Sequence, residues 1–470
     1  MVDATNPSLL SWLHKARQAA ACGEDEAAKA SYLEALRHDA GHFDALHELA
    51  TLAYGSGHRS AAKTAWQRAS HFHPDRPEAL VSLANLAAEE ECWPEARRLY
   101  EAALRLQPAM APAHQGLART LEALHEPAER HWQQGFVGHA VVALPYRGQG
   151  QGLPLLLLVC ARHGNIPTQH WIDDRHFAIT AIYTEFYDDT QELPEHALIV
   201  NLLGDADLSP QALRRARDIV RRSSAPVINH PDQVELTDRC SNARRMADIP
   251  GLMTARVTKM TRASLATTPL SYPLLLRAPG FHAGRHFDKV ERHEALAATL
   301  ATLPGDELLA IEFIDARGRD SLVRKFRVML IDGRIYPLHL AIASDWKVHY
   351  FSADMAEHPS YRAEEARFLQ DMPATLGAGA MAALQELQAR LALDFAGVDF
   401  ALSEDGRVLL FECNATMAIY PAAEPALWDY RRPAVAAALA AARQMLARGA
   451  ADGVRHDARL RQTPNNETAV

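Results

Sequence analysis

The sequence predicts a multidomain chain: an all-α helical-repeat arm, then a small α/β domain with a parallel sheet, then a larger α+β region. Three observations carry this prediction. A 34-residue repeat runs through the first quarter. Strand-like and helix-like segments alternate from about residue 136. Long hairpins near the C-terminal end bring acidic and amide side chains together.

Composition sets the frame. A chain of 470 residues is long enough for about three domains of roughly 150 residues. With 48% hydrophobic and 23% charged residues, it lies far from the polar, charge-rich compositions that stay unfolded. Lys and Arg number 49 against 58 Asp and Glu, a net charge of -9. That leaves no cationic surplus for a nucleic-acid backbone or an anionic lipid surface, so neither nucleic acid nor membrane is an expected partner. Five cysteines (Cys22, Cys92, Cys160, Cys240 and Cys413) are scattered without metal-type spacing and read as reduced thiols. The N-terminal residues lack the charged and apolar blocks of a secretory signal. The longest apolar run, Leu153–Cys160, is far short of the roughly 20 residues that span a bilayer. A cytoplasmic protein is expected.

In the arm, a shift of 34 residues aligns Trp12, Leu46 and Leu80, and then Ala16, Ala50 and Ala84. The same shift aligns Ala28, Ala62 and Ala96; Tyr32, Trp66 and Tyr100; and Ala35, Ala69 and Ala103. Gly23 matches Gly57, and Pro74 matches Pro108. Alanine lets two antiparallel helices approach closely, aromatics fill the gaps between hairpins, and proline stops the second helix. These residues and this spacing resemble the tetratricopeptide repeat over about residues 8–108, as three units. A fourth begins with His114, Leu117, Ala118 and Leu121 and loses the pattern after Glu126, giving an arm over 1–135. The resemblance implies a concave groove for a peptide or protein, or a dimerisation scaffold; a homodimer is the expected assembly.

From Phe136 the pattern changes. Val137–Leu144 and Leu153–Cys160 read as strands around a loop, Tyr146–Gly152, whose GQGQG lacks the third glycine and the acid of a dinucleotide fingerprint. Phe177–Tyr183 is apolar, Ala197–Leu203 a strand, Pro210–Arg222 a helix and Pro226–Asn229 a strand. This alternation predicts a parallel α/β domain over 136–233. Beyond it, Thr237–Ala247 reads as a helix capped by Thr237 or Asp238, and Tyr272–Arg277 as a strand followed by the glycine-containing loop Ala278–His286. Leu308–Ile314 is a strand. Arg324–Ile331 and Arg334–Ile342 form a hairpin about Asp332-Gly333, a type I′ turn pair. Pro373–Leu393 reads as a helix. A last hairpin pairs Phe395–Leu402 with Arg407–Asn414 across Ser403–Gly406, and residues 449–470 read as a disordered tail.

That last hairpin carries the chemistry. Glu412 and Asn414, two apart on one strand, share a face, and pairing about the turn brings Asp399 near them. Two carboxylates and an amide oxygen amid apolar flanks suit a hard cation such as Mg²⁺, with Mn²⁺ as a substitute, held jointly with nucleotide phosphates. Cys413 between them reads as core.

The block from about 226 to 420 resembles the ATP-grasp family of carboxylate–amine ligases, on the pattern of Asp on one strand and Glu-x-Asn on the next in GVDFALSEDGRVLLFECN. The resemblance implies a two-lobed α+β ATP-grasp domain over 234–448, with 136–233 as its pre-ATP-grasp α/β domain. It implies Asp399, Glu412 and Asn414 as metal ligands, and Arg239 and Arg277 in the places of phosphate-binding lysines. Glu312, Phe313 and Ile314 fall at the adenine hinge, and Arg327 beside the transferred phosphate, with Lys325 where the family has an acid. GFHAG resembles the loop that closes over the phosphates, with His282 and His286 in and beside it. In the run SDWKVHY, Lys347 is expected at the phosphates, and Asp345, His349 and the nearby His339 at the acceptor. The implied reaction is ATP-dependent: a small-molecule or peptide carboxylate is phosphorylated, and an amine then displaces phosphate to form an amide. Two other readings stay open: ATP-dependent phosphotransfer to a non-carboxylate group, and a repeat scaffold with a nucleotide-binding domain that does not turn over.

Overall fold

The computed structural model of the chain describes residues 7–281, 284–350, 353–421 and 426–462. It divides into two compact units: the helical arm up to Val142 together with Phe186–Asp188, and the remainder.

The arm contains eight helices: α1 (Pro7–Cys22), α2 (Asp25–His38), α3 (Phe43–Gly55), α4 (Arg59–Phe72), α5 (Glu78–Glu89), α6 (Trp93–Leu106), α7 (Ala111–Ala123) and α8 (Glu129–Phe136). They pack as successive pairs, α1 on α2 through α7 on α8. The repeat explains the pairing. All nine alanines of the three small-residue columns are 0% exposed, and Tyr32, Trp66 and Tyr100 are buried in the gaps. The turn between the paired helices also keeps the period. Gly23, Gly57, Glu91 and His125, spaced at 34 residues, all adopt positive φ, of 74°, 83°, 55° and 59°. The fourth pair keeps the turn and Ala118 but loses the alanines of its second helix; in α8, Trp132 and Phe136 are 0% exposed and stack at 5.5 Å.

Next along the chain comes the short strand β1 (Val141–Ala143), at the edge of the sheet beside β3. The expected strand Val137–Leu144 is shortened to it because Gly138, at φ 77°, turns the chain directly after α8. The second unit opens with β2 (Leu153–Val159), β3 (Phe177–Tyr183), β4 (Leu198–Asn201), α9 (Pro210–Val220), β5 (Val227–Ile228) and α10 (Pro231–Glu235). Its strands are parallel in the order β3-β2-β4-β5, and β4 is buried along its whole length, as a sheet covered on both faces requires.

Two antiparallel systems follow. The segments α11 (Arg239–Met246), β6 (Leu252–Thr254), β7 (Val257–Thr261), α12 (Arg262–Thr267), β8 (Leu274–Arg277), β9 (Phe287–Val290), α13 (His293–Thr302) and β10 (Glu307–Glu312) build a four-stranded sheet, β7-β10-β8-β9. The segments β11 (Val323–Ile331), β12 (Arg334–Ala343), α14 (Pro359–Gln370), α15 (Met372–Leu391), β13 (Phe395–Leu402), β14 (Val408–Asn414) and α16 (Arg432–Gln462) supply a five-stranded sheet, β12-β11-β13-β14-β6. Asp332 and Gly333 both take positive φ, 52° and 74°, as the β11–β12 turn demands. Phe326 stacks on Phe400 at 5.4 Å and meets Phe368 edge-on at 5.0 Å, fixing β11 against β13 and α14. The side-chain amide of Asn229 brackets the start of β13, donating to the Phe395 carbonyl at 2.8 Å and accepting its N–H at 2.9 Å.

Three features depart from the sequence reading. α14 was not expected. Within α15, Gly377 leaves helical geometry (φ 81°, ψ 163°) and kinks the segment. The chain past 449 is not without structure: α16 runs to Gln462, and Ala442, Leu446 and Ala450 continue one buried stripe across that boundary. Among the described residues, no helix is long and apolar enough to cross a membrane.

Candidate active site

The antiparallel register of the five-stranded sheet opposes Arg327 on β11 to Asp399 on β13, and Asp399 to Glu412 on β14. Residues directly opposed across a ladder share a face, so the three form a row. Asp399, with 4% of its side chain exposed, takes a fork from Arg327: Nε at 2.6 Å to Oδ1 and Nη2 at 2.7 Å to Oδ2. Lys325, two residues along β11, adds its Nζ at 3.0 Å from Oδ2. Glu412 accepts from Arg239 Nη2 at 2.5 Å. Burial alone would push both carboxyls up; Arg327 and Lys325 overcome it at Asp399, and Arg239 and Arg277 at Glu412, holding both below the ordinary carboxylate range.

The row closes one wall of a cleft of about 530 Å³. Ten of the residues singled out from the sequence line it: Arg239, Arg277, Glu312, Phe313, Ile314, Arg327, Lys347, Asp399, Glu412 and Asn414. Arg239 is the first residue of α11, whose cap Asp238 accepts from Ser241 N. Arg277 ends β8, where its Nη2 donates to the Phe281 carbonyl at 2.5 Å. Burial, and then the neighbouring Arg239 cation, lower its basicity. Lys347 reaches across to donate to the Phe287 carbonyl at 2.9 Å. At the far end Trp346 meets Phe287 edge-on at 5.4 Å and Phe313 at 6.3 Å, and the Lys289 ammonium sits 3.9 Å from the Phe313 ring centre. Glu312 turns its carboxylate back to the Arg256 N–H at 3.2 Å. The cleft therefore has a flat apolar end and a cationic end.

Several lining residues escaped the sequence reading. Trp346 was visible only as part of a polar run, and Phe287 and Arg285 sit where no motif pointed. A signal existed for Phe287: it follows the glycine loop at the start of a strand, where a side chain falls over whatever that loop covers. His349 lines the cleft. His339 does not; it is buried, its ring tilted against Tyr350 at 4.4 Å, and its two ring nitrogens lack hydrogen-bond partners. Asp345 accepts from the Lys347 N–H at 3.2 Å. Cys413 is buried and accepts from Asn242 Nδ2 at 3.0 Å, and burial pushes its thiol up to about 12, which suits core and not nucleophile. His286 packs edge-on to Phe281, whereas His282 lies outside the described residues.

Asp399 and Glu412 offer the hard oxygens that a divalent cation prefers, but both are already paired to cations. The Asn414 amide oxygen accepts from Thr416 N at 3.0 Å and Thr416 Oγ1 at 2.8 Å, which uses both its lone pairs. Among the described residues no group of three or more His, Cys, Asp or Glu side chains is placed to hold a metal ion. The donor set fits a divalent cation that arrives with a polyanion, and fits a bare one poorly.

No family model matches the chain, and no curated protein matches it. Solved structures resemble its two parts separately. The crystal structure of MamA is 18% identical, covers 28% of this chain and 76% of its own, and superposes with a TM-score of 0.25. D-alanine–D-alanine ligase from Bacillus anthracis, complexed with ATP, is 11% identical over 65% of this chain and 99% of its own, with a TM-score of 0.42. The VanG D-Ala:D-Ser ligase from Enterococcus faecalis is 12% identical over 64% of this chain and 100% of its own, with a TM-score of 0.40.

Proposed function

We propose that this chain is an ATP-dependent carboxylate–amine ligase of the ATP-grasp type that forms an amide through an acyl phosphate. The observation that carries the reading is one cleft with an aromatic end and a cationic end, bounded by the Arg327–Asp399–Glu412 row. A nucleoside triphosphate has the matching polarity, a flat base at one end and a chain of phosphates at the other.

In this reading Phe313, Ile314 and the Glu312 backbone meet adenine, with Trp346 and Phe287 closing on the base. Arg239, Arg277 and Lys347 hold the phosphate chain, and Arg327 faces the phosphoryl group in transfer. Arginine binds phosphate with two parallel hydrogen bonds where lysine offers a point charge, so Arg239 and Arg277 grip firmly in the lysine positions. Asp399, Glu412 and Asn414 would hold Mg²⁺ or Mn²⁺, which when bound would offset the charge that builds up on transfer. A carboxylate oxygen takes the terminal phosphoryl group from ATP, leaving ADP. An amine nitrogen then attacks the acyl carbon, the C–O bond to phosphate breaks, and the ammonium proton passes to solvent. The cationic side chains stabilise both steps by position and charge, and the loop carrying Gly284 over Lys347 keeps water from the acyl phosphate. The helical arm recruits a peptide or protein that supplies one of the substrates.

The test traps the intermediate. With ATP, Mg²⁺ and a panel of amino-acid and peptide carboxylates, added hydroxylamine should give a hydroxamate together with ADP. ADP with a phosphorylated product and no hydroxamate would instead favour phosphotransfer. Nucleotide binding without ADP release under any condition would favour a scaffold.

A further inference from the structure

We propose that Lys325 is a built-in counter-cation at the phosphate end of the cleft, so that nucleotide is gripped without a divalent ion and the ion joins only once the polyphosphate is in place. This rests on the nucleotide-binding reading above and extends it to the order in which the two ligands bind.

A bare divalent cation needs oxygens with free lone pairs and a local excess of negative charge. The face offers little of either: among the described residues, Oε2 of Glu412 is the one oxygen of the three side chains with no donor on it. The two oxygens of Asp399 face three cationic nitrogens: Arg327 Nε and Nη2 donate at 2.6 and 2.7 Å, and Lys325 Nζ forms an ion pair at 3.0 Å. Glu412 accepts from Arg239 at 2.5 Å, and the Asn414 oxygen accepts twice from Thr416. Against these two carboxylates stand Lys325, Arg327, Arg239 and Arg277, which all line the same cleft. Asp205 and Asp207 stand beside Arg239 and Arg277, so the local surplus lies at Asp399, where Lys325 and Arg327 set two cations against one carboxylate; that surplus repels an incoming metal ion and attracts a nucleoside triphosphate.

Lys325 is the member of this set that Asp399 does not need. Arg327 already satisfies the carboxylate fork to fork, the strongest geometry available to it. The ammonium adds a second positive charge to a carboxylate already matched, at a place that is only 15% exposed. A lysine head is a compact point charge on a flexible stem, so it places charge much as a metal ion would and is free to turn. When phosphate enters, the Lys325 ammonium exchanges its ion pair with Asp399 Oδ2 for a phosphate oxygen. That exchange opens one lone pair of Oδ2, which keeps its bond from Arg327 Nη2, and the triphosphate supplies the negative charge the face lacked. Only then do Asp399 and Glu412 together present a cation site. Lys325 is in this sense a positioning residue, acting on the metal through Asp399.

The experiment uses the full chain and two readouts other than turnover. Calorimetry follows a β,γ-imido ATP analogue in EDTA and in Mg²⁺, and electron paramagnetic resonance follows free Mn²⁺ without nucleotide. Wild type, Lys325→Met and Lys325→Arg are compared. Wild type should bind the analogue in EDTA within about tenfold of its Mg²⁺ affinity and leave Mn²⁺ free in the absence of nucleotide. Lys325→Met should lose about tenfold or more of the EDTA affinity, keep its Mg²⁺ affinity and capture Mn²⁺ alone; the retained Mg²⁺ affinity also shows that it folds. Lys325→Arg should behave as wild type. Tight Mn²⁺ capture by nucleotide-free wild type, loss of analogue binding by wild type in EDTA, or a Lys325→Met protein indistinguishable from wild type would each overturn the proposal. An analogue that binds in neither buffer would overturn the nucleotide reading itself, and this inference with it.

Discussion

Asp399 combines near-complete burial with three cationic nitrogens facing its two oxygens, so the residue is structural as well as chemical. Asp399→Asn would leave the Arg327 and Lys325 charges half-buried and uncompensated. Breaking one partner out of a buried ion pair costs about 3–5 kcal/mol, so the variant should melt lower by denaturant titration as well as lose ADP release. His339 carries a pH dependence of its own. Burial, reinforced by the Arg327 cation, holds its imidazole well below its ordinary basicity. The unfolded chain therefore binds a proton below about pH 6.5 that the folded chain refuses, and stability falls as the pH drops through that region by up to about 1.4 kcal/mol per unit. His339→Phe should keep the ring contact with Tyr350 and flatten the stability profile between about pH 5 and 6.5, as read by urea titration. An unchanged slope would show that His339 does not contribute it. None of this was legible beforehand: Lys325 and Asp399 lie 74 positions apart in the sequence, and only the β11–β13 register brings them together.

At the scale of elements, periodicity made the arm readable and the same period exposes its weak points. Glu91 occupies the left-handed turn that Gly23 and Gly57 occupy in the preceding units, a conformation that costs a side-chain-bearing residue roughly 1–2 kcal/mol. Glu91→Gly should raise the melting temperature of the arm, and Gly57→Ala should lower it. Gly116 tests the packing between units. A Cβ there would fall inside the buried ring of Tyr100, so Gly116→Ala should cost about 1–3 kcal/mol by overpacking, measured by thermal unfolding. The hairpins were legible for an equally local reason, since Asp332-Gly333 and the Ser403–Gly406 turn fix their own geometry. Helix α14 was missed: its buried side depends on Phe368 meeting Phe326 and on Glu365 accepting from Tyr430 and Arg431, contacts with no trace in local spacing. The end of α16 was missed because a polar composition masked the small residues Ala442 and Ala450 on its buried stripe.

At the scale of the whole molecule, the order of segments in the sequence foretold a helical arm followed by sheets, and the residues carrying the site came from motifs whose spacing survives without knowledge of the fold. The shape of the cleft did not, because its aromatic end is assembled from Phe287, Phe313 and Trp346 on three separate segments. The central claim is that this cleft binds ATP by its cationic end, and thermal unfolding of the full chain with and without ATP and Mg²⁺ tests it most directly. Arg277→Ala is the informative comparison, since its hydrogen bond goes to a backbone carbonyl and Glu412, whose charge it helps to hold, keeps its bond from Arg239. A ligand held only by the folded state at a hundred times its dissociation constant stabilises by about 2.7 kcal/mol. Wild type should therefore melt several degrees higher with ATP, and Arg277→Ala should lose most of that shift while melting normally without nucleotide. A wild type indifferent to ATP and ADP, or an Arg277→Ala variant stabilised as strongly as wild type, would contradict the account.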